Sequence, residues 1–223
     1  MGQSYLKNAA LLTGADVLLR LAGMGLRIYL ANALGGEGMG LYQLVLAVYA
    51  LFVTLATAGV SVAATRLMAE ELARGRAQAR GMLVRLAGTG LLLGAAAMAA
   101  QYGLAGAAAR WWLGDVRAAG ALRVSAFGMP WMALSAVLRG FFIARRRVEP
   151  NVLSQLVEQS VRIGIIWYAL EWGNAPDVSA RCTAVLAATA VSEAVSACIL
   201  LLFYRGEAVL SLIHISEPTR HLR

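Results

Sequence analysis

The chain has 223 residues, of which 60% are hydrophobic and 14% charged, with a formal charge of +8 and a mean hydropathy of +0.66. Soluble domains carry about 25% charged residues, so this composition excludes a water-covered globule and reads as an integral membrane protein. The positive charge sits in short arginine clusters between apolar runs, without interleaved aromatics; that pattern excludes a nucleic-acid module and fits loops facing anionic lipid.

A membrane-crossing helix needs about 20 mostly apolar residues. Six stretches qualify and predict an all-α, polytopic helix bundle with spans at about 6–34, 41–68, 82–107, 121–144, 151–172 and 182–204. The first contains Asp16, Arg20 and Arg27. It is longer than the apolar core of a signal peptide and ends at no cleavage-type site, so no cleaved leader is expected. Gly36, Gly38 and Gly40 follow it. No Lys-Ser or Lys-Thr comes after these glycines and no strand precedes them, so they predict a close-packed turn rather than a phosphate loop.

The second span leads into a charged loop, 70–80. The third carries Gly90-x-x-x-Gly94 and Gly103-x-x-Gly106, spacings that let neighbouring helices approach closely. A loop at 109–120 follows, with Trp111 and Trp112 suited to the membrane interface. The fourth span holds Pro130, expected to kink it, and Arg139 near its end. Residues 144–150 form a basic turn around Arg145, Arg146 and Arg147, and 171–179 an acidic one. The fifth span is the most polar, and the sixth contains Glu193.

With the N-terminus in the cytoplasm, Lys7, Arg66, Arg74, Arg76, Arg80, Arg145, Arg146, Arg147 and Arg205 all fall on the inner side. The outer loops mix Arg110, Arg117 and Arg181 with Glu37, Asp115, Glu171 and Asp177. Arginine bias sets orientation, so the chain is expected to be multi-pass with a cytoplasmic N-terminus. Cys182 and Cys198, sixteen positions apart on one helix, would lie about 24 Å apart and cannot form a disulfide.

Leu210 to Arg220 resembles the in-frame translation of a sequencing-library adaptor. Residues 210–223 are therefore expected to be a non-native tail on a lobe spanning 1–209. His214 and His221, the only histidines in the chain, lie within that tail. The rest offers no histidine for a metal or for acid–base work. Without a metal cluster or a nucleophile elbow either, the sequence predicts no enzyme, no metal and no cofactor.

Intramembrane charge is costly and marks functional sites. Asp16, Arg20, Gly23 and Arg27 are spaced 4, 3 and 4, which puts them within an arc of about 60° on one helix face. Gln155, Glu158, Gln159 and Arg162 fall within about 100° on the fifth span. Each stripe needs protein or water against it, and together they predict one cavity, with Arg139 at its inner mouth. Asp16–Arg20 and Glu158–Arg162 are also i,i+4 opposite-charge pairs and so could hold helices together without touching a substrate.

Residues 18–70, "LLRLAGMGLRIYLANALGGEGMGLYQLVLAVYALFVTLATAGVSVAATRLMAE", resemble the start of stage V sporulation protein B-type transporters. Residues 138–164, "LRGFFIARRRVEPNVLSQLVEQSVRIG", are similar to the same family in the order of the basic turn, Pro150, Ser154-Gln155 and Glu158-Gln159. The resemblance covers roughly 5–205 and belongs to the multidrug, oligosaccharidyl-lipid and polysaccharide exporter superfamily. It implies the N-terminal lobe of a two-lobed transporter in the bacterial plasma membrane, whose partner lobe would come from the rest of the same chain. It implies a flippase for undecaprenyl-pyrophosphate-linked oligosaccharide that works by alternating access, with membrane lipid around it.

On that reading Arg20, Arg27 and Arg162 hold the anionic headgroup, because a guanidinium stays charged and meets phosphate with a planar fork. Gln155, Glu158 and Gln159 line the same wall. Asp16 neutralises Arg20 when the cavity is empty, and Asp16 or Glu193 could couple an ion. The alternatives are a cation-coupled multidrug antiporter of the same superfamily and a non-transporting membrane assembly protein. Three arginines against two acids in the stripes favour an anionic substrate.

Overall fold

The computed structural model describes residues 2–57, 59–74, 76–173 and 177–215, with side chains for 13–57, 59–74, 80–173 and 177–206. Every regular element among them is helical: α1 (Gly2–Thr57), α2 (Val60–Arg74), α3 (Arg76–Ala107), a π-helical turn (Ala108–Trp112), α4 (Ala118–Ala126), α5 (Met129–Ala144), α6 (Glu149–Glu171) and α7 (Val178–Ile215). Four stretches are long and apolar enough to cross a membrane: Thr13–Arg74, Arg80–Trp112, Ala118–Ala144 and Val178–Gly206.

The first of these has 62 residues. As one straight rod it would be about 93 Å long, three times the thickness of a hydrocarbon core. Two glycines break it. Gly35 has φ 69° and ψ −178° and divides α1 into two arms. Gly59, with φ 73°, separates α1 from α2. Both lie in the left-handed region that a Cβ disfavours. The turn expected across the glycine cluster therefore shrinks to one residue, because Gly36 to Gly40 are already helical.

Other boundaries move for similar reasons. The charged loop expected at 70–80 is mostly helix, since α2 runs to Arg74 and α3 begins at Arg76. The loop expected at 109–120 keeps helical winding to Trp112 and turns at Gly114, φ 67°. The fourth span is two helices, parted at Phe127 and Gly128. Pro130 sits in the first turn of α5, where its missing N–H breaks no helical bond, so it starts a helix rather than kinking one.

Small residues set the packing. A Cβ on Gly94 would stand 2.7 Å from Pro130 Cα and 3.0 Å from Met129 O; one on Gly90 would stand 3.0 Å from Val137 Cγ2. Residues 90 and 94 thus face 137 and 130 in turn, so α3 and α5 run antiparallel. Gly103 meets nothing within 4 Å and takes no part. Leu41, Val45, Phe52 and Ala56 on the second arm of α1 bury against Ala105, Leu122 and Leu186. Met68, Leu83, Phe142 and Leu200 fill a second core. Leu30 and Leu34 on the first arm of α1 close a third with Ile166 and Val185.

The outside is apolar. Leu18, Met24, Ile28, Leu92, Trp111, Trp112 and Trp172 are each more than half exposed. Polar groups turn inward instead: Gln101, 1% exposed, donates to Leu122 O at 2.7 Å and to Ser125 Oγ at 2.8 Å. This is the arrangement expected of helices in lipid. At one end of the bundle the connections meet. Arg117 Nη1 lies 2.6 Å from Glu37 Oε1, Ser179 Oγ donates to Arg117 O at 2.9 Å, and Tyr29 OH donates to Glu171 Oε1 at 3.0 Å. In the expected tail, 210–215 continue the backbone of α7, while 216–223 lie outside the described residues.

Candidate functional site

The polar centre is built on α6. With 23 residues it is about 34 Å long, enough to cross a bilayer, yet Gln155, Glu158, Gln159 and Arg162 make it less apolar than the four stretches above. Glu158 and Arg162 stand one helical turn apart and pair, Arg162 Nη2 to Glu158 Oε1, at 2.7 Å.

Two other helices complete the group. From α5, Arg139 Nη2 reaches Glu158 Oε2 at 2.9 Å, so one carboxylate bridges two guanidiniums. From α7, Glu193 Oε1 lies 3.4 Å from Arg162 Nη2. Ser192 Oγ accepts from Arg162 Nε at 3.1 Å and Ser196 Oγ from Arg139 Nη2 at 3.0 Å. Gln159 Oε1 accepts from Arg162 Nη1 at 3.2 Å. The side chains of Glu193 and Glu158 are 6% and 12% exposed. Two cations and two anions held together in this way avoid the cost of isolated buried charges. Arg139, expected at the inner mouth of a cavity, is a member of this group.

The group is not closed. Arg139 Nε, Ser135 Oγ and Tyr49 OH are buried without a hydrogen-bond partner among the described residues. Tyr49, on the second arm of α1, lies within electrostatic reach of Glu193, Arg162 and Glu158. Tyr42, two turns earlier on the same face, is within reach of both Arg162 and Arg27. The two tyrosines, with Ser192 and Ser196, are absent from the sequence-derived set. Their signal was the seven-residue spacing of two hydroxyls in an apolar run, and serines flanking Glu193 at helical spacing.

The first-arm stripe behaves differently. Asp16, Arg20 and Arg27 are all exposed, and no described residue offers any of them a hydrogen bond or ion pair. The expected Asp16–Arg20 neutralisation is not made. The buried flank of the same arm packs on α6, where Ala22, Leu26 and Tyr29 face Ile163 and Trp167 across a 330 Å³ groove. Gln155 is partly exposed and makes no side-chain hydrogen bond to the described residues. Among those residues no three histidine, cysteine, aspartate or glutamate side chains gather where they could hold a metal.

An all-helical bundle with an apolar exterior, several helices long enough to cross a bilayer and a charged group held between them is a polytopic membrane protein. The comparisons place it further. Residues 5–220 match the family described as polysaccharide biosynthesis protein. Over 166 residues, 74% of this chain, it is 34% identical to stage V sporulation protein B of Bacillus subtilis (strain 168). The chain belongs to the polysaccharide biosynthesis protein family. The matched segment is 32% of that relative, so the chain spans about a third of its length. No solved structure matches.

Proposed function

We propose that the chain is the N-terminal lobe of a transporter that carries a lipid-linked anionic oligosaccharide across the bacterial plasma membrane by alternating access. The arms of α1, then α3, α4–α5, α6 and α7 serve as six crossings, with the N-terminus in the cytoplasm. The observation that carries the reading is the contrast between the two arginine sets. Arg139 and Arg162 are already held by carboxylates, whereas Arg20 and Arg27 are exposed and offered no acceptor by any described residue. Cations kept unneutralised on a membrane helix suit an incoming anion.

On this reading Arg20 and Arg27 make the first contacts with a pyrophosphate, and Arg162, Gln159 and Gln155 line the wall behind them. Glu158 keeps Arg162 in place and must share it with the ligand. The remainder of the chain's relatives supplies the opposing lobe, which rocks against this one. Family membership and likeness to a sporulation protein support a transporter-like role in making an envelope polysaccharide.

The test is a flipping assay with a pyrophosphate-linked prenyl sugar, using the protein with its C-terminal continuation. Arg20→Ala and Arg27→Ala should abolish flipping while leaving the amount of protein in the membrane unchanged. Retained flipping removes the headgroup role. Asp16, an exposed carboxylate without a described partner, favours one alternative, a cation-coupled exporter of drugs. That reading requires uptake of a cationic dye to change with Asp16→Asn and not with Arg27→Ala.

A further inference from the structure

Arg162 is shared between its neighbours. Its Nη2 serves Glu158 at 2.7 Å and Glu193 at 3.4 Å, its Nε donates to Ser192 and its Nη1 to Gln159. A guanidinium has five N–H donors, and these contacts engage four. The second N–H on Nη1 has no acceptor among the described residues, and the side chain is 21% exposed. An anion can therefore reach the charged group at this point.

Glu193 is the member held least firmly. Its side chain is 6% exposed, and its contact to Arg162 is the longest ion pair of the group, 3.4 Å against 2.7 and 2.9 Å. The charged and titratable side chains that face it are Glu158 and Arg162 from α6, Arg139 from α5 and Tyr49 from the second arm of α1. α4 also packs on α7, but its one titratable side chain, Arg123, lies over the Tyr102 ring of α3. Two cations and two anions balance as they stand. A phosphate on Arg162 breaks that balance: it sets a further anion beside Glu193 and draws on the guanidinium that neutralises it. Like charges so close, away from water, do not all stay ionised. Glu193 can take a proton and keep its place, because the Glu158 carboxylate is within hydrogen-bond reach and a protonated carboxyl donates where a carboxylate cannot. Glu158 remains the acceptor, since both guanidiniums hold it, at 2.7 and 2.9 Å.

We propose that binding of an anionic headgroup at Arg162 is linked to uptake of one proton from water by Glu193. The proposal rests on the transport reading above and adds that headgroup and proton occupy this lobe together. Linkage is reciprocal, so each strengthens the binding of the other. Where Glu193 is ionised in the free protein, the apparent affinity for the headgroup falls about tenfold for each unit that the pH is raised.

Titration calorimetry tests this, on the protein with its C-terminal continuation in detergent and with a pyrophosphate-linked prenyl sugar as the probe. Each experiment is run in two buffers of different ionisation enthalpy, at neutral and at raised pH. Each phosphate of the probe carries one strongly acidic oxygen and stays ionised, so the buffer-dependent heat counts protons taken by the protein. The expected result at raised pH is close to one proton per probe bound. Glu193→Gln, a fixed neutral copy of the protonated side chain, should bind the probe without proton uptake and with an affinity that no longer falls as the pH is raised. Uptake that survives Glu193→Gln and vanishes in Asp16→Asn belongs to Asp16 and overturns the proposal. Wild-type binding without proton uptake at either pH also overturns it and leaves the transport reading standing. No binding by the wild type strikes the transport reading and the proposal with it. Should Glu193→Gln not fold, loss of the uptake in Asp16→Asn overturns the proposal, and its persistence there supports it.

Discussion

At the scale of single residues, spacing and burial answer different questions. Asp16–Arg20 and Glu158–Arg162 have the same i,i+4 separation, yet only the second forms an ion pair, at 2.7 Å. Exposed pairs of this kind gain only about 0.3–0.5 kcal/mol, too little to hold two solvated side chains together. Glu158 is pinned because two guanidiniums converge on it from α5 and α6. Replacing it by glutamine leaves Arg139 without a carboxylate and Arg162 with only the longer contact to Glu193, 3.4 Å, and breaking a buried ionic group costs about 3–5 kcal/mol. Glu158→Gln should therefore lower thermal stability in detergent steeply, whereas Arg20→Ala should stay within about 0.5 kcal/mol of wild type; a melting series across both variants checks the contrast. The pair was legible from the sequence, but Arg139 and Glu193 as its other members were not, since no local pattern says which helices adjoin. The connection before α4 gives a pH effect of known sign. Hydrogen bonds from the Arg117 side chain and backbone hold the Asp115 carboxyl below its usual range. A carboxylate with a lowered pKa stabilises the fold above its unfolded-state value, and that contribution disappears as the pH falls through the lowered one. Protection of the Arg117 N–H, which donates to Asp115 Oδ1 at 2.9 Å, measured as its exchange rate relative to that of an unstructured peptide at the same pH, should fall on acidification through that range and hold as the pH is raised.

At the scale of elements, glycine decides where rods end and how near they come. Helix existence was legible throughout, because twenty apolar residues with few charges admit little else in lipid. Helix ends were less so. A run of polar arginines reads as loop, but at 70–80 the chain keeps helical winding almost throughout, since nothing in "EELAR" opposes it and Leu72 within it packs against the second core. The breaks at Gly35 and Gly59 need a left-handed φ, and many glycines in this chain could have supplied it; only packing chooses. The same glycine chemistry gives a matched test. Gly94→Ala puts a methyl 2.7 Å from the Pro130 backbone, which cannot yield as a side-chain tip does, so α3 and α5 must part at about 1–3 kcal/mol. Gly103→Ala meets open space within 4 Å and replaces a poor helix former by a good one, a change of up to about 1 kcal/mol in favour of the fold. Guanidinium-free thermal melts of the two variants should move in opposite directions. Equal losses would mean that close approach of α3 to α5 is not what Gly94 provides.

At the scale of the whole molecule, the question is whether α6 crosses the membrane, because its four polar side chains leave it less apolar than the other candidates. The six-crossing proposal requires that it does, and contacts at the ends of the bundle are compatible with it. Glu37, Arg117, Ser179 and the Tyr29–Glu171 pair gather at one end, while the Arg145–Arg147 turn lies just before α6, at the far end of its 23 residues. An α-helix of that length carries Glu171 about 34 Å from Glu149, which matches a hydrocarbon core. The charges agree with the contacts: the 145–147 turn is three arginines, and the opposite end mixes both signs, as arginine bias requires of inner and outer faces. Under the proposed topology the stripe on α6 is tolerable because Arg139 and Glu193 neutralise it from neighbouring helices. Single cysteines placed in a background with Cys182 and Cys198 replaced decide the matter. With a membrane-impermeant thiol reagent on intact cells, Glu37→Cys, Arg117→Cys and Glu171→Cys should label, and Arg74→Cys and Arg146→Cys should label only after permeabilisation. If α6 lies along the surface instead, Arg146→Cys and Glu171→Cys will label from the same side, and both the six-crossing topology and the placement of Arg162 beside a transmembrane path fall with that result.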